Sequence, residues 1–240
     1  MEIFVISLEK SKERKDTFDK YNSKYINYSY HTAIDGSKII IEDLDKKVFK
    51  RGSQNYSKGA IGCALSHLQL WEKCIELNKP IIMEDDAIVS KNFNKNVNNL
   101  MNNLLPTKWD IVQLNYNFDS VLSYDNTNYE TCVCMFNKTK VTKEHITNFI
   151  NSKINTTIAK LNYCFGTSCY MLSPDGAKKL KSNCFPLDNR IINIPLLKSI
   201  SCFTIDCMMN SLYKDMTSFV TILPFVITPH ISDDYKSTIS

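Results

Sequence analysis

Three apolar residues, Ile81-Ile82-Met83, run directly into three acidic ones, Glu84-Asp85-Asp86. A short unbroken apolar run is what a strand covered by helices on both faces presents. Asn78-Lys79-Pro80 stands just before it and breaks the preceding segment. That segment, Gly59 to Glu76, sets Ile61, Leu65, Leu68, Trp71 and Ile75 at steps of three or four, with Ser66, Gln69 and Lys73 on another side. The spacing predicts an amphipathic helix with Trp71 in its core face. Helix, break and buried strand in succession are the grammar of an α/β fold.

The rest of the chain follows the same alternation. Ile3 to Leu8 reads as a strand, Lys10 to Lys20 as a charged helix and Tyr25 to His31 as an extended piece, a β-α-β opening. The apolar start has acidic residues on both sides and no basic region before it, so it reads as a buried strand and not as a signal peptide. Further strands are expected at Trp109 to Leu114 and Cys169 to Leu172, the latter feeding a helix that begins near Pro174. Asn92 to Asn103 carries Phe93, Val97, Leu100, Met101 and Leu104 at helical steps. Phe118 to Asn162 is polar and weakly periodic and reads as loops with one or two irregular elements. The expected architecture is α/β, a mixed central sheet flanked by helices.

Length and charge narrow the class. At 240 residues, 43% of them hydrophobic, the chain fits a single domain spanning 1–240 with a substantial core. A net charge of +4, from 29 basic and 25 acidic residues, is too mild and too evenly spread to mark a nucleic-acid or membrane surface. No apolar run approaches the ~20 residues of a membrane-spanning helix. Nine scattered cysteines, an odd number, point to reduced thiols and a cytoplasmic location. Cys132-Val-Cys134 lacks the paired spacing of a zinc site and reads as packing.

The acidic triplet carries the chemistry. Like charges this close repel, and a bound cation would relieve them. Hard oxygen ligands suit Mn²⁺ or Mg²⁺, which keep open positions for phosphate oxygens. The carboxyl end of a strand is also where open α/β sheets bind ligands. The competing reading, that these acids cap the next helix or form a solvated turn, stays open on the triplet alone.

The surroundings of the triplet are more specific. Ser57-Lys58-Gly59-Ala60-Ile61-Gly62-Cys63-Ala64-Leu65-Ser66-His67 through Trp71 lies one helix upstream. With Val5-Ile6-Ser7-Leu8 and Arg14, Ala33-Ile34-Asp35-Gly36, Trp109-Asp110 and Gly166-Thr167-Ser168-x-Tyr170, this order and spacing resembles glycosyltransferase family 25. That family includes lipooligosaccharide and collagen galactosyltransferases. The resemblance implies a GT-A-type nucleotide-sugar fold, with a donor-binding part at about 1–117 and an acceptor and catalytic part at about 118–240. It also implies inverting transfer of galactose or glucose from a UDP-hexose donor to a glycan, lipooligosaccharide or glycoprotein acceptor.

On the family pattern Asp86 is the first choice for metal coordination, supported by Glu84 and, late in the chain, His230. Ser7, Leu8, Lys10, Arg14, Asp35, Gly59, Ser66, His67, Glu84 and Asp85 are the expected donor-binding residues. An inverting displacement needs a base, and two aspartates compete for that role, Asp206 and Asp188. Asp206 is favoured because an apolar helix-like stretch follows it, although Thr204-Ile205 stands where the family places Pro-Val. Ser237-Thr238-Ile239 resembles a bacterial tail but lacks the Gln that precedes it there. Two other classes remain: a degenerate module that holds a nucleotide or glycan without turnover, and a metal-dependent phosphohydrolase. The sequence offers no second, paired His/Asp cluster for the latter.

Overall fold

The computed structural model describes residues 2–53, 55–76, 80–127, 129–136, 141–194 and 199–229. His230 and Ser237-Thr238-Ile239 lie outside the described residues. In chain order the elements are β1 (Ile3–Ser7), α1 (Lys12–Asn22), β2 (Ser29–Thr32), α2 (Lys58–Glu76), β3 (Ile81–Glu84), β4 (Ile88–Val89) and α3 (Phe93–Asn99), the last running into a π-helical turn. Next come β5 (Ile111–Gln113), β6 (Val121–Thr127), β7 (Glu130–Met135), α4 (Lys143–Asn151), β8 (Ile158–Cys164), β9 (Cys169–Leu172) and α5 (Pro174–Cys184). The chain closes with β10 (Ile191–Ile192), β11 (Ile200–Ser201), α6 (Ile205–Asn210), β12 (Ser218–Thr221) and β13 (Val226–Ile227).

Nine strands form one mixed sheet in the order β2-β1-β3-β9-β5-β12-β8-β6-β7. β1 is parallel to both β2 and β3, whereas β9 runs antiparallel between β3 and β5. The period-two alternation of the strands divides the core between the two faces. Ile6, Ile82, Ile111 and Tyr170 pack with Ile61, Trp71, Leu180 and Met208 of α2, α5 and α6. Val5, Ile81, Met83 and Met171 pack on the other side with Phe18, Phe93 and Val97 of α1 and α3. Burial on both faces is why Ile81-Ile82-Met83 is apolar without alternation.

Most expected elements stand within a few residues of their predicted bounds. Phe118 to Asn162 does not. In place of loops it forms β6, β7, α4 and most of β8, an antiparallel edge in which β6 pairs with both β7 and β8. Its alternation is hidden because β6 starts buried at Val121-Leu122-Ser123 and ends exposed, while the edge strand β7 is only half covered. Strands whose burial changes along their length show no clean period.

Close backbone packing joins α2 to the loop after β2. A Cβ built on Gly62 would lie 2.6 Å from the Ile34 carbonyl oxygen and 2.9 Å from the Gly36 amide nitrogen. Both neighbours are main chain and cannot swing aside. Gly62→Ala should gain about 1 kcal/mol in helix propensity yet lose about 1–3 kcal/mol to overpacking. Net destabilisation in a urea melt is the expected result, and a variant more stable than the parent would show that the loop yields freely.

Candidate active site

Strand order reverses at β1. The chain leaves β1 for β2 on one side, then crosses through α2 to β3 on the other, with α1 and α2 on opposite faces of the sheet. Such a switch point opens a crevice beyond the carboxyl ends of the strands, where α/β folds bind ligands. A cavity of about 440 Å³ lies there. Its walls are the end of β1 (Ser7, Leu8), the start of α1 (Lys10, Arg14), the loop at Asp35, the start of α2 (Ser57, Lys58, Gly59) and the acids at the end of β3.

Each wall is held by its own local chemistry. The Ser57 hydroxyl accepts from the Ala60 amide at 3.1 Å and caps α2, so the positive end of a 19-residue helix faces the cavity. Buried Ser66 accepts from the Ile34 amide at 2.8 Å and donates to the Gly62 carbonyl at 2.7 Å, which ties the Asp35 loop to the helix. Lys10 donates to Asp35 at 2.7 Å, and this bond with those from Ser37 pulls the Asp35 carboxyl down to about 2. After β3 the Ala87 amide returns to the Glu84 carbonyl at 3.1 Å, closing a tight turn. The buried Asn22 amide donates to the Ala87 carbonyl and accepts from the Val89 amide, fastening that turn to α1.

The three acids have three different environments. Asp85 accepts from Ser7 Oγ at 2.7 Å and from Arg14 Nε at 2.7 Å, with Arg14 Nη2 as a further donor. Its charge is therefore spent on anchoring Arg14. Glu84 Oε1 faces His67 Nε2 at 3.3 Å and accepts from the Thr167 hydroxyl. Burial opposes its ionisation, but His67, Thr167 and Arg14 outweigh burial and hold the carboxyl below the usual range. Asp86 Oδ2 lies 3.4 Å from Arg14, and its buried Oδ1 has no hydrogen-bond partner among the described residues. Burial first, and then the charge of Glu84, push the Asp86 carboxyl up to about 7 against the pull of Arg14. A buried carboxylate oxygen without a donor, beside a second carboxylate, fits a cation.

The raised value predicts a pH effect. A carboxyl that ionises at higher pH in the folded chain stabilises the fold below its unfolded value and loses that contribution as pH rises. In chelator, melting temperature should therefore fall between about pH 4 and pH 7, and Asp86→Asn should flatten that slope. A slope unchanged by the substitution would assign the effect to another group.

His67 is fully buried, and its other nitrogen, Nδ1, lies 2.8 Å from the Tyr170 hydroxyl, which also accepts from Trp71 Nε1 at 2.8 Å. Trp71 is core, as its helical phase predicts, and it carries a polar link as well.

Comparison with known sequences identifies the family. The profile of glycosyltransferase family 25 (LPS biosynthesis protein) matches residues 1–191. The chain belongs to glycosyltransferase family 25. Human procollagen galactosyltransferase 2 is 24% identical over 192 residues, covering 75% of this chain and 27% of the relative. Lipooligosaccharide biosynthesis protein lic2B of Haemophilus influenzae is 27% identical over 95 residues, 38% of this chain and 36% of the relative. Mouse inactive glycosyltransferase 25 family member 3 is 29% identical over 126 residues, 47% of this chain and 21% of the relative. The chain thus spans about a third or less of the length of these relatives.

All ten expected donor-binding residues, Ser7, Leu8, Lys10, Arg14, Asp35, Gly59, Ser66, His67, Glu84 and Asp85, line the one crevice, and Asp86 adjoins it through Arg14. The two aspartates in competition for the base are in different places. Asp206, in the first turn of α6, accepts from the Gly166 amide at 3.1 Å, from the Cys207 amide at 2.8 Å and from the Thr204 hydroxyl, and its charge reaches Cys63 in the crevice wall. Asp188 accepts from Arg190 Nε at 2.8 Å, and neither aspartate is part of the crevice lining. Burial opposes ionisation of Asp188, and Arg190 outweighs it. Only Asp188 falls within the family match.

Thr167, Tyr170 and Cys63 were not among the expected site residues. Cys63 carries a legible signal, since it precedes His67 by four residues on a helix and so shares its face. Thr167 and Tyr170 reach Glu84 and His67 only because β9 pairs with β3, a contact with no local signature.

Proposed function

We propose that the chain transfers a hexose, galactose or glucose, from a UDP-sugar to a hydroxyl of a glycan, lipooligosaccharide or glycoprotein acceptor, inverting the anomeric carbon in a GT-A-type site. The observation that supports this best is the convergence at the β1/β3 switch point of a capped helix N-terminus, Arg14 and a buried carboxylate oxygen with no partner among the described residues. The first two suit a diphosphate and the third suits a divalent cation.

In this reading the α2 amides near Lys58 and Gly59 face the diphosphate, and Ser7, Leu8, Lys10 and Asp35 form the wall for the nucleoside. Asp86 and Glu84 would hold Mn²⁺ or Mg²⁺, which when bound offsets the charge developing on the leaving diphosphate. Asp206 takes the proton of the acceptor hydroxyl as the new C–O bond forms, and UDP leaves with the electron pair of the bond that breaks. The acceptor meets the site from the side of β6, β7 and α4.

A second reading, binding without turnover, is favoured by the three donors on Asp206, which occupy the oxygens a base must present to the acceptor hydroxyl. One experiment separates the two. The protein is incubated with UDP-galactose, UDP-glucose, UDP-N-acetylglucosamine or UDP-N-acetylgalactosamine, in Mn²⁺ or EDTA, and UDP release is followed. Metal-dependent release from one hexose donor is expected. Metal-dependent UDP binding with no release, even with glycan acceptors added, supports the binding module, and release of inorganic phosphate would support the phosphohydrolase.

A further inference from the structure

Cys63, His67 and Glu84 each turn one ligand atom towards a common point in the crevice wall, and these atoms all lie within 4.8 Å of one another. We propose that they form a second cation site, one that takes thiophilic zinc, distinct in its ligand chemistry from the all-oxygen site at Asp86. Cys63 and His67 stand four residues apart on α2, and Glu84 ends β3 beside them. Tetrahedral zinc, with Zn–S of about 2.3 Å and Zn–N of about 2.0 Å, holds its ligand atoms roughly 3.5 Å apart. The three atoms therefore need to close by about an ångström, which a cysteine rotamer and a carboxylate rotation supply.

The surroundings suit a metal ligand set. A histidine that binds zinc anchors its other nitrogen to an oxygen. Here Nδ1 of His67 is already held 2.8 Å from the Tyr170 hydroxyl, which is itself fixed by Trp71, so Nε2 points at the site. Without metal the Nε2 proton can go to Glu84, with Tyr170 donating to Nδ1. With zinc on Nε2 the proton moves to Nδ1 and is given to the Tyr170 oxygen. The local charge also favours a cation, since Glu84, Asp85 and Asp86 crowd around Arg14 and Asp206 adds its field. Cys63 is only half-buried and lines the cavity, so an ion can reach it.

Three protein ligands leave a fourth position open. Thiolate selects zinc over Mn²⁺ or Mg²⁺, which prefer oxygen. Because Glu84 serves both sites, zinc and the transfer metal compete, and zinc should inhibit transfer. That inhibition rests on the transferase reading, whereas the binding rests on the three side chains alone. Binding as a thiolate releases one proton from Cys63 to solvent.

The test uses the whole chain with Co²⁺ as a spectroscopic stand-in for zinc. A thiolate-to-cobalt charge-transfer band is expected, displaced by Zn²⁺ and lost in Cys63→Ser, which should weaken zinc binding about a hundredfold. Peptide mapping after brief alkylation of the parent protein gives a second readout that needs no variant, with Zn²⁺ protecting Cys63. No band, a band that survives Cys63→Ser because Cys132 and Cys134 supply it, or unaltered Cys63 alkylation would each overturn the site. Band and protection without UDP release from any donor would uphold the site and overturn only the transferase reading.

Discussion

Asp86→Ala is expected to cut metal-dependent release of UDP from the donor sugar by about 10²- to 10⁴-fold, the rate equivalent of losing several kcal/mol of charge stabilisation at the leaving group. The same substitution should leave the fold intact or strengthen it in chelator. Asp86 buries an oxygen that has no partner among the described residues, next to Glu84, and its carboxyl is pushed up to about 7, so the native structure bears a cost for keeping it. Removing that cost is worth about 1–3 kcal/mol. Activity and stability moving in opposite directions is what a site residue shows and a structural one does not. Paired UDP-release and thermal-melt measurements check both signs. Activity within a few-fold of the parent would remove Asp86 from the metal site, and a loss of stability matching the loss of activity would make its role structural.

The parts of this site legible in the sequence were those written in local periodicity. Ile81-Ile82-Met83 announced a doubly covered strand because nothing in it alternates, and the step pattern from Ile61 to Ile75 announced α2 but not its buried face, which runs through Ile61, Ala64, His67, Trp71 and Cys74 and takes in Ser66, expected on the other side, while Leu65, Leu68 and Ile75 are only half-buried. Those two elements already place His67 and Glu84 near one crevice. What could not be read is the strand that lies between the two halves of the sheet. Cys169 to Leu172 was expected as a strand, yet nothing within it says that it runs antiparallel between β3 and β5. That pairing brings Tyr170 under His67 and Thr167 onto Glu84. Phe118 to Asn162 was misread for a related reason, since strands that start in the core and end in solvent obey neither period. Asp85 and Asp86 illustrate a further limit. Adjacent and identical in type, they differ in that Ser7 and the Nε of Arg14 hydrogen-bond to Asp85, and that is decided by residues more than seventy positions away.

Arg14 should prove the residue on which the stability of the crevice most depends. Asp85 is nearly enclosed, with 8% of its side chain exposed, and Arg14 supplies its charged donors while Ser7 adds one neutral hydroxyl. An ion pair of this kind adds little over a well-packed apolar pair, but deleting one partner strands the other charge and costs about 3–5 kcal/mol. Arg14→Met keeps much of the side-chain volume and removes the charge that Glu84, Asp85 and Asp86 share. A fall in melting temperature on the order of 10 °C at neutral pH follows for a chain of this size. One control identifies the cause. Arg14→Met combined with Asp85→Asn should recover stability that the single substitution loses, giving a coupling of roughly 0.5–3 kcal/mol in a double-mutant cycle. If Arg14→Met melts like the parent, the pair is solvated and the account of Asp85 fails. If the doubly substituted chain is stable but no longer binds UDP, Arg14 has a second duty at the diphosphate, and the ion pair serves to hold its guanidinium where the phosphate arrives.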